Sequence, residues 1–201
     1  LPHQTLDSIY QINMNLNKGY LEVILGPMFS GKTTELIRIR NRYKHSNIKC
    51  CIINHSLDDR YNEEYNVVEH MVSHNHLKVP CVYSKTLKEI LSLIIDNDII
   101  LINEGQFFDD LFEVVKQLIN VHKKIVYVCG LDGDYKQKKF GQMLDLIPIS
   151  DSVKKLKGIC FQCKINDSIF THRISNEEEQ IVVGVDNYSS LCRECFIASS
   201  V

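Results

Sequence analysis

The sequence predicts an α/β fold: a parallel sheet flanked by helices, followed by a small domain organised by cysteines. Short apolar segments alternate with longer amphipathic ones as far as about residue 150, which is the order of a parallel sheet with crossover helices. Beyond Gly158 this alternation gives way to two Cys-x-x-Cys pairs. A chain of 201 residues is long enough to bury a full core in such a fold.

Four strands and three helices are predicted for the first domain, residues 19–150. The strands are continuous apolar runs, as buried parallel strands require, whereas the helices repeat apolar residues every three or four positions. The predicted strands are residues 20–25, 49–54, 98–102 and 124–129. The predicted helices are residues 32–45, 86–95 and 109–120. The polar segment 55–76 is predicted to be a loop.

The second predicted domain, residues 151–201, contains a hairpin bracketed by cysteines. Residues 168–174 alternate like an exposed strand, and residues 180–183 are strand-like again after an acidic turn. Two Cys-x-x-Cys pairs at this spacing are typical of a zinc ribbon, in which a closed four-thiolate zinc site is structural. The ligands would be Cys160, Cys163, Cys192 and Cys195. The alternatives are two redox-active pairs or free thiols.

Composition excludes several classes of protein. Hydrophobic and charged residues make up 44% and 24% of the chain, and its formal net charge of −2 disfavours a general nucleic-acid binder. No apolar run approaches the roughly 18 residues of a membrane span. Residues 1–18 lack the order of a signal peptide and are predicted to be a poorly ordered extension. Eight cysteines without such a signal indicate a reducing, cytoplasmic compartment.

Eight residues between the first strand and the first helix match the phosphate-loop pattern in full. They are Gly26, Pro27, Met28, Phe29, Ser30, Gly31, Lys32 and Thr33. Backbone N–H groups at the start of a helix bind anionic oxygens, Lys32 can reach the β- and γ-phosphates, and Thr33 can bind Mg²⁺. The sequence therefore predicts a P-loop NTPase-like sheet that binds a nucleoside triphosphate. The alternative is a chance glycine-rich turn.

Glu104 is the candidate catalytic base. It follows the buried strand 98–102 at the edge of an open α/β sheet where ligands bind. A carboxylate there can accept the proton of an attacking hydroxyl during phosphoryl transfer. The alternative is a solvated loop carboxylate. Asn103 stands where many phosphate-loop enzymes have an aspartate that assists Mg²⁺, and it carries no charge.

Three segments and the two cysteine pairs resemble the cytosolic (type II) thymidine kinases in sequence and order. The segments are GPMFSGKT at 26–33, INEGQFF at 102–108 and LDGDYKQKKFG at 131–141, followed by CFQC and CREC. The resemblance extends from about Tyr20 to Phe196. It implies ATP, Mg²⁺, structural Zn²⁺ and transfer of the γ-phosphate to the 5′-hydroxyl of thymidine to give dTMP. It also implies a homotetramer that is inhibited by dTTP and binds neither nucleic acid nor membrane.

The resemblance also implies roles for individual residues, with Glu104 as the general base. Besides the phosphate loop, the implied nucleotide-site residues are Asp58, Asp59, Arg60, Asn103, Gly105 and Gln106. The implied thymidine-site residues are Met28, Phe107, Leu131, Tyr135, Thr171, Glu179, Gln180, Ile181, Val182, Val183 and Tyr188. Several of them match the lasso loop, which binds thymine largely through its main chain and whose ends the zinc site would tie together. For each aromatic residue, core packing is the alternative.

Two departures from the family keep other hypotheses open. The family usually has aspartate at position 103, so Asn103 predicts weaker Mg²⁺ binding or a weakened kinase. Paired glycines are common where Val183 and Gly184 stand, which affects the predicted path of the lasso.

The competing function is a phosphate-loop ATPase or nucleotide switch, although the Asn-Lys-x-Asp motif of GTPases is missing. A nucleic-acid role for the zinc ribbon is disfavoured by its acidic balance.

Overall fold

The computed structural model describes residues 18–57, 70–72, 78–182 and 184–199. Four predicted site residues, Asp58, Asp59, Arg60 and Val183, lie outside the described residues, as does the predicted extension up to residue 17. Within the described residues, no helix is long and apolar enough to cross a membrane.

Six parallel strands form the central sheet, so the predicted α/β class is confirmed. Its order is β5-β2-β6-β7-β1-β8. The strands up to this point of the chain are β1 (Tyr20–Leu25), β2 (Cys50–His55), β3 (His70–Val72), β4 (Lys78–Pro80), β5 (Val82–Ser84), β6 (Ile99–Ile102), β7 (Ile125–Gly130) and β8 (Ser152–Lys155). The short strands β3 and β4 pair with each other and stand apart from this sheet. All four predicted strands of the first domain are present, within one or two residues of the predicted bounds.

Helices cover both faces of the sheet. They are α1 (Lys32–Tyr43), α2 (Leu91–Ile94) and α3 (Leu111–Asn120), with 3₁₀ turns at Lys88–Ile90, Gly105–Phe107 and Met143–Ile149. Successive strand residues point to opposite faces. Accordingly, Ile99 and Leu101 of β6 join the core under α1, whereas Ile100 and Ile102 join the core under α3. Both faces of β6 are fully buried, which explains its unbroken apolar sequence.

The predicted helix at 86–95 is wrong in length. A 3₁₀ turn occupies Lys88–Ile90, and only the four residues of α2 are α-helical. Ile90, the last residue of the turn and the residue before α2, has φ −108° and ψ 7°, outside the α-helical region. The β-branched isoleucines at 90, 94 and 95 lower helix propensity here. Part of the predicted loop at 55–76 is also a strand, β3.

Sequence analysis missed β8, because it is an edge strand with mostly exposed side chains and no apolar run. It pairs with β1, and Asp151 just before it accepts a hydrogen bond from the Leu21 N–H at 2.8 Å. Lys154 of β8 also lies 2.6 Å from Glu35 of α1. A hydrogen bond from Arg38 lowers the pKa of Glu35 to about 2, with Lys154 contributing, so the carboxylate stays charged. The strand belongs to the main sheet although it follows residue 150; the domain division stays a prediction.

The C-terminal region consists of four short strands and a helix. They are β9 (Gly158–Ile159), β10 (Asp167–Ser168), β11 (Phe170–Arg173), β12 (Tyr188–Leu191) and α4 (Arg193–Ser199). Strand β9 pairs with β10, and β11 pairs with β12, both antiparallel. The strand predicted at 168–174 is present in part, as β11, whereas Ser168 belongs to the separate strand β10. The strand predicted at 180–183 is wrong, because residues 180–182 lie in an irregular loop. The hairpin closes through β12 instead. We call residues 174–187, which join β11 to β12, the strap.

Candidate active site

The phosphate loop, Gly26–Thr33, joins the end of β1 to the start of α1. Gly31 adopts φ 84° immediately before the helix, a conformation that favours glycine. A Cβ on Gly26 would lie 2.6 Å from the Ser30 hydroxyl oxygen and 2.7 Å from the Leu156 carbonyl oxygen. Glycine is therefore required at position 26 on steric grounds. The two glycines therefore determine the path of the backbone between β1 and α1.

Lys32, the cation of this loop, is folded back over it. Its Nζ donates a hydrogen bond to the Pro27 carbonyl at 2.7 Å, and the side chain is buried. The Ser30 hydroxyl donates to the same carbonyl at 2.8 Å. Pro27 and Ser30 thus shape the loop from behind, while Met28, Phe29, Gly31, Lys32 and Thr33 line the adjacent cavity.

Asn103 follows β6 and lies beside Thr33. The Thr33 hydroxyl donates to Asn103 Oδ1 at 3.5 Å, a long bond, and the Cys129 thiol donates to the same oxygen at 3.0 Å. Asn103 Nδ2 donates to Asn54 Oδ1 at 3.1 Å. The Asn103 side chain is 1% exposed, so these partners define its orientation. A hydroxyl and an amide oxygen at this edge are the hard oxygen donors that suit Mg²⁺.

The Glu104 carboxylate accepts a hydrogen bond from the side chain of Gln106. Gln106 Nε2 donates to Glu104 Oε2 at 2.7 Å, and Gln106 Oε1 accepts the Leu131 N–H at 3.0 Å. Glu104 is only 9% exposed and has φ 51°, so it is not a solvated loop carboxylate. Gly105 lies behind it, where a Cβ would be 2.6 Å from the Met143 sulfur, and does not line the cavity. Gln106 thus orients Glu104.

A cavity that is open to solvent connects the phosphate loop to the strap. Most predicted residues beyond the loop line it: Glu104, Gln106, Phe107, Leu131, Tyr135, Thr171, Gln180, Ile181, Val182 and Tyr188. Asn103 and Glu179 do not line it. Sequence analysis missed five lining residues: Thr34, Leu57, Asp134, Phe140 and Gly184. One cavity therefore brings the phosphate loop, Glu104 and the strap together.

Two of the missed lining residues, Asp134 and Phe140, form specific contacts with other residues that line the cavity. Asp134, which is buried, accepts a hydrogen bond from Gln180 Nε2 of the strap at 2.7 Å. Phe140 packs edge-to-face on Phe107, with ring centroids 5.7 Å apart. Both belong to the segment 131–141 that carried part of the family resemblance. Their position in this segment was the only sequence feature that could have predicted them as lining residues, because neither spacing nor composition distinguished these two side chains.

Thr171 connects the C-terminal hairpin to the phosphate loop. Its hydroxyl oxygen accepts a hydrogen bond from the Met28 N–H at 3.0 Å. Nearby, a Cβ on Gly158 would approach the Phe29 carbonyl oxygen to 3.1 Å, so the two backbones nearly touch. Thr171 thus lines the cavity and also docks the hairpin on the loop.

The four predicted cysteine ligands converge on one point. The Sγ atoms of Cys160, Cys163, Cys192 and Cys195 all lie within 4.8 Å of one another. Tetrahedral coordination with zinc–sulfur bonds of about 2.3 Å separates the sulfurs by roughly 3.8 Å, so the donor set and its spacing suit zinc. One shared cluster also argues against two independent redox pairs.

Comparison with known proteins gives one family. The sequence model described as "Thymidine kinase" matches residues 19–196. The thymidine kinase of Yaba monkey tumor virus (strain VR587) is 41% identical over 184 residues, covering 91% of this chain and 97% of that protein. That of Variola virus (isolate Human/India/Ind3/1967) is 39% identical over 185 residues, covering 92% and 100%. That of Sheeppox virus (strain KS-1) is 37% identical over 182 residues, covering 90% and 98%.

Gly26→Ala should weaken triphosphate binding roughly tenfold or more, because overpacking of this kind costs about 1–3 kcal/mol. Titration with a fluorescent ATP analogue measures the affinity, and circular dichroism checks the fold. Gly133→Ala is the matched control, since its Cβ would meet no atom closer than 3.4 Å. Equal affinity in the two variants would show that the loop does not contact the phosphates.

Proposed function

The chain belongs to the thymidine kinase family, and we propose that it transfers the γ-phosphate of ATP to the 5′-hydroxyl of thymidine, giving dTMP and ADP. One observation carries the proposal beyond family membership. A buried, oriented carboxylate, Glu104, lines the same cavity as the phosphate loop and the strap. A donor site, an acceptor site and a base between them are what a two-substrate phosphoryl transfer requires.

On the donor side, ATP binds along Gly26–Thr33. The N–H groups at the start of α1 face its phosphates, and the helix dipole favours their charge. Lys32 exchanges its hydrogen bond to the Pro27 carbonyl for the β- and γ-phosphate oxygens. Thr33 would hold Mg²⁺ through its hydroxyl oxygen while that hydroxyl donates to Asn103, and the bound ion would neutralise phosphate charge. The loop containing Asp58, Asp59 and Arg60 is proposed to approach the phosphates and the sugar.

On the acceptor side, thymidine lies between the aromatic wall and the strap. Met28, Phe107, Leu131 and Tyr135 supply apolar surface to the base. The main chain of residues 180–182 supplies polar groups to its edge. This division suits a small planar base, since apolar faces provide affinity and a few placed polar groups provide orientation.

In the transfer step, the 5′-oxygen of thymidine attacks the γ-phosphorus while the bond from that phosphorus to the bridging oxygen of ADP breaks. The hydroxyl proton passes to Glu104. Gln106 donates to Glu104 Oε2 and thereby fixes the direction of the carboxylate. Because Lys32 is buried, its positive charge acts on the transferring group at reduced screening.

Other parts of the proposal rest on the family and on composition. The cysteine cluster holds a structural Zn²⁺ that ties the base of the hairpin. The chain acts in the cytoplasm in DNA-precursor synthesis as a homotetramer, is inhibited by dTTP, and binds neither nucleic acid nor membrane. We also propose two domains: residues 19–150 bind ATP, and residues 151–201 form the zinc-tied lasso.

Glu104→Gln should lower kcat roughly 10²- to 10⁴-fold, the usual contribution of a general base, while ATP binding persists. The substitution preserves an acceptor for Gln106 and removes only the proton-accepting charge. A radiolabelled-thymidine assay measures turnover. Glu113→Gln, at an exposed position of α3, is the control. If the Glu104 variant turns over at the control rate, another group is the base.

Asn103→Asp should lower the Mg²⁺ concentration that gives half-maximal rate, because a carboxylate replaces a neutral amide beside Thr33. It should also destabilise the protein by about 1–3 kcal/mol in urea unfolding, since Asn54 loses its donor in a buried site. Asn41→Asp, exposed on α1, is the control. An unchanged Mg²⁺ dependence would mean that position 103 does not support the metal.

Metal analysis of the purified chain should find about one zinc per chain, the stoichiometry of a single four-thiolate site. Cys192→Ser should lose most of that zinc and lower the melting temperature, because a ligand is removed from a closed site. Cys81→Ser, which changes a cysteine outside the cluster, should keep both. Folded, active protein without zinc would refute the metal site.

A further inference from the structure

We propose that Arg173 is a positioning residue that holds the strap in the shape that receives the nucleoside. This inference rests on the proposed thymidine site. Arg173 is the last residue of β11, and it is paired in register with Tyr188, the first residue of β12. It therefore stands at the point where regular strand pairing ends and the strap begins.

The strap is held largely by side chains. At its base, the Ile174 N–H donates to the Asn187 carbonyl at 2.8 Å. Further along, the carbonyl oxygens of five residues accept hydrogen bonds from side chains. These residues are Glu177, Glu178, Glu179, Gln180 and Val182. Residues 174–182 belong to no strand, so the shape of this part of the strap depends on the donors of those bonds.

Arg173 supplies the donors for three of these carbonyls. Its Nη1 donates to the carbonyls of Glu177, at 3.0 Å, and of Glu179. Its Nη2 donates to the carbonyl of Gln180 at 3.0 Å and to the Tyr188 hydroxyl at 2.5 Å. A planar guanidinium with several donors in fixed directions can span separate carbonyls, which a lysine ammonium on a flexible stem cannot reproduce.

Two tyrosines hold the guanidinium and complete the set of donors. The Arg173 guanidinium carbon lies 3.8 Å from the ring centroid of Tyr135 and 5.1 Å from that of Tyr188. The Tyr135 hydroxyl donates to the Glu178 carbonyl at 2.7 Å. The Tyr188 hydroxyl accepts from Arg173 and donates to the Val182 carbonyl at 3.0 Å. Arg173 therefore directs the one hydroxyl hydrogen of Tyr188 toward the strap.

Burial argues that this arrangement serves the strap rather than the surface. Arg173 is 6% exposed, and burying a charged side chain is costly unless hydrogen bonds offset it. Both Nη atoms donate hydrogen bonds, whereas the buried Nε has no hydrogen-bond partner. Apart from the Tyr188 hydroxyl, its hydrogen-bond acceptors are main-chain carbonyls, although three glutamates stand at 177–179. The arginine thus organises the backbone whose residues 180–182 line the cavity. Ordering that backbone before the nucleoside arrives lowers the entropy cost of binding.

Arg173→Lys tests the proposal, with Arg42→Lys as the matched control: Arg42 is exposed on α1 and also lies over a ring, Tyr43, at 5.8 Å. Hydrogen exchange of the ligand-free Arg173 variant should be about fivefold faster or more in peptides covering Val182, whose N–H donates to the Tyr188 hydroxyl at 3.3 Å. The KM for thymidine should rise about tenfold or more, because charge-assisted hydrogen bonds are lost. The KM for ATP, zinc content and exchange in β1 and β7 should not change.

Tyr188→Phe is the second variant, since it keeps the ring and removes the hydroxyl shared by Arg173 and Val182. It should change exchange and the KM for thymidine in the same direction. Exchange and KM equal to those of the control would overturn the proposal. So would equal losses in zinc, the KM for ATP and the strap, because they would indicate general destabilisation. Wild-type inactivity toward thymidine would refute the proposed function, whereas the exchange comparison tests Arg173 in either case.

Discussion

Parallel pairing of β7 with β1 on one side and with β6 on the other determines where the polar groups of the site lie. Leu25 pairs with Gly130, and Ile102 pairs with Val128, so the three strands end at nearly the same level. The chain leaves them as the phosphate loop, as Asn103 and Glu104, and as the segment 131–141. Residues far apart in sequence thus meet at one edge because parallel strands share a direction.

Three buried polar side chains at that edge each form a hydrogen bond with another side chain. Asn103 bonds to Asn54, Glu104 bonds to Gln106, and Asp134 bonds to Gln180. An unpaired buried polar group is costly, so each pair stabilises one orientation of both partners. Organisation of this kind suits phosphoryl transfer, in which the protein contributes chiefly position and charge. At position 103, where aspartate is expected, this chain has an asparagine, whose neutral amide bonds to that of Asn54.

The C-terminal hairpin connects the cysteine cluster to the strap, which lines the cavity. Cys192 follows β12 directly, at the end of the hairpin opposite the strap. Between the two ends, Thr171 bonds to Met28 and docks β11 on the phosphate loop. Ordering the loop between two paired strands costs conformational entropy. Arg173 and two tyrosines hold much of the strap by donating hydrogen bonds to its carbonyls. The hairpin therefore connects the phosphate loop to the strap.

Sequence alone determined the features whose signals are local: the phosphate loop, the strands ending at Leu25 and Ile102, Glu104, and the four cysteines. Family resemblance added most of the cavity lining. Only the tertiary structure decided the partners. Gln106 meets Leu131 across 25 residues, and Tyr135 meets Glu178 across 43. The same limit explains the misassigned strand at 180–183: its apolar residues suit a strand, but side chains from Arg173 and Tyr188 bond its carbonyls. Periodicity records which residues avoid water, whereas hydrogen-bond partners depend on distant segments that only folding brings together.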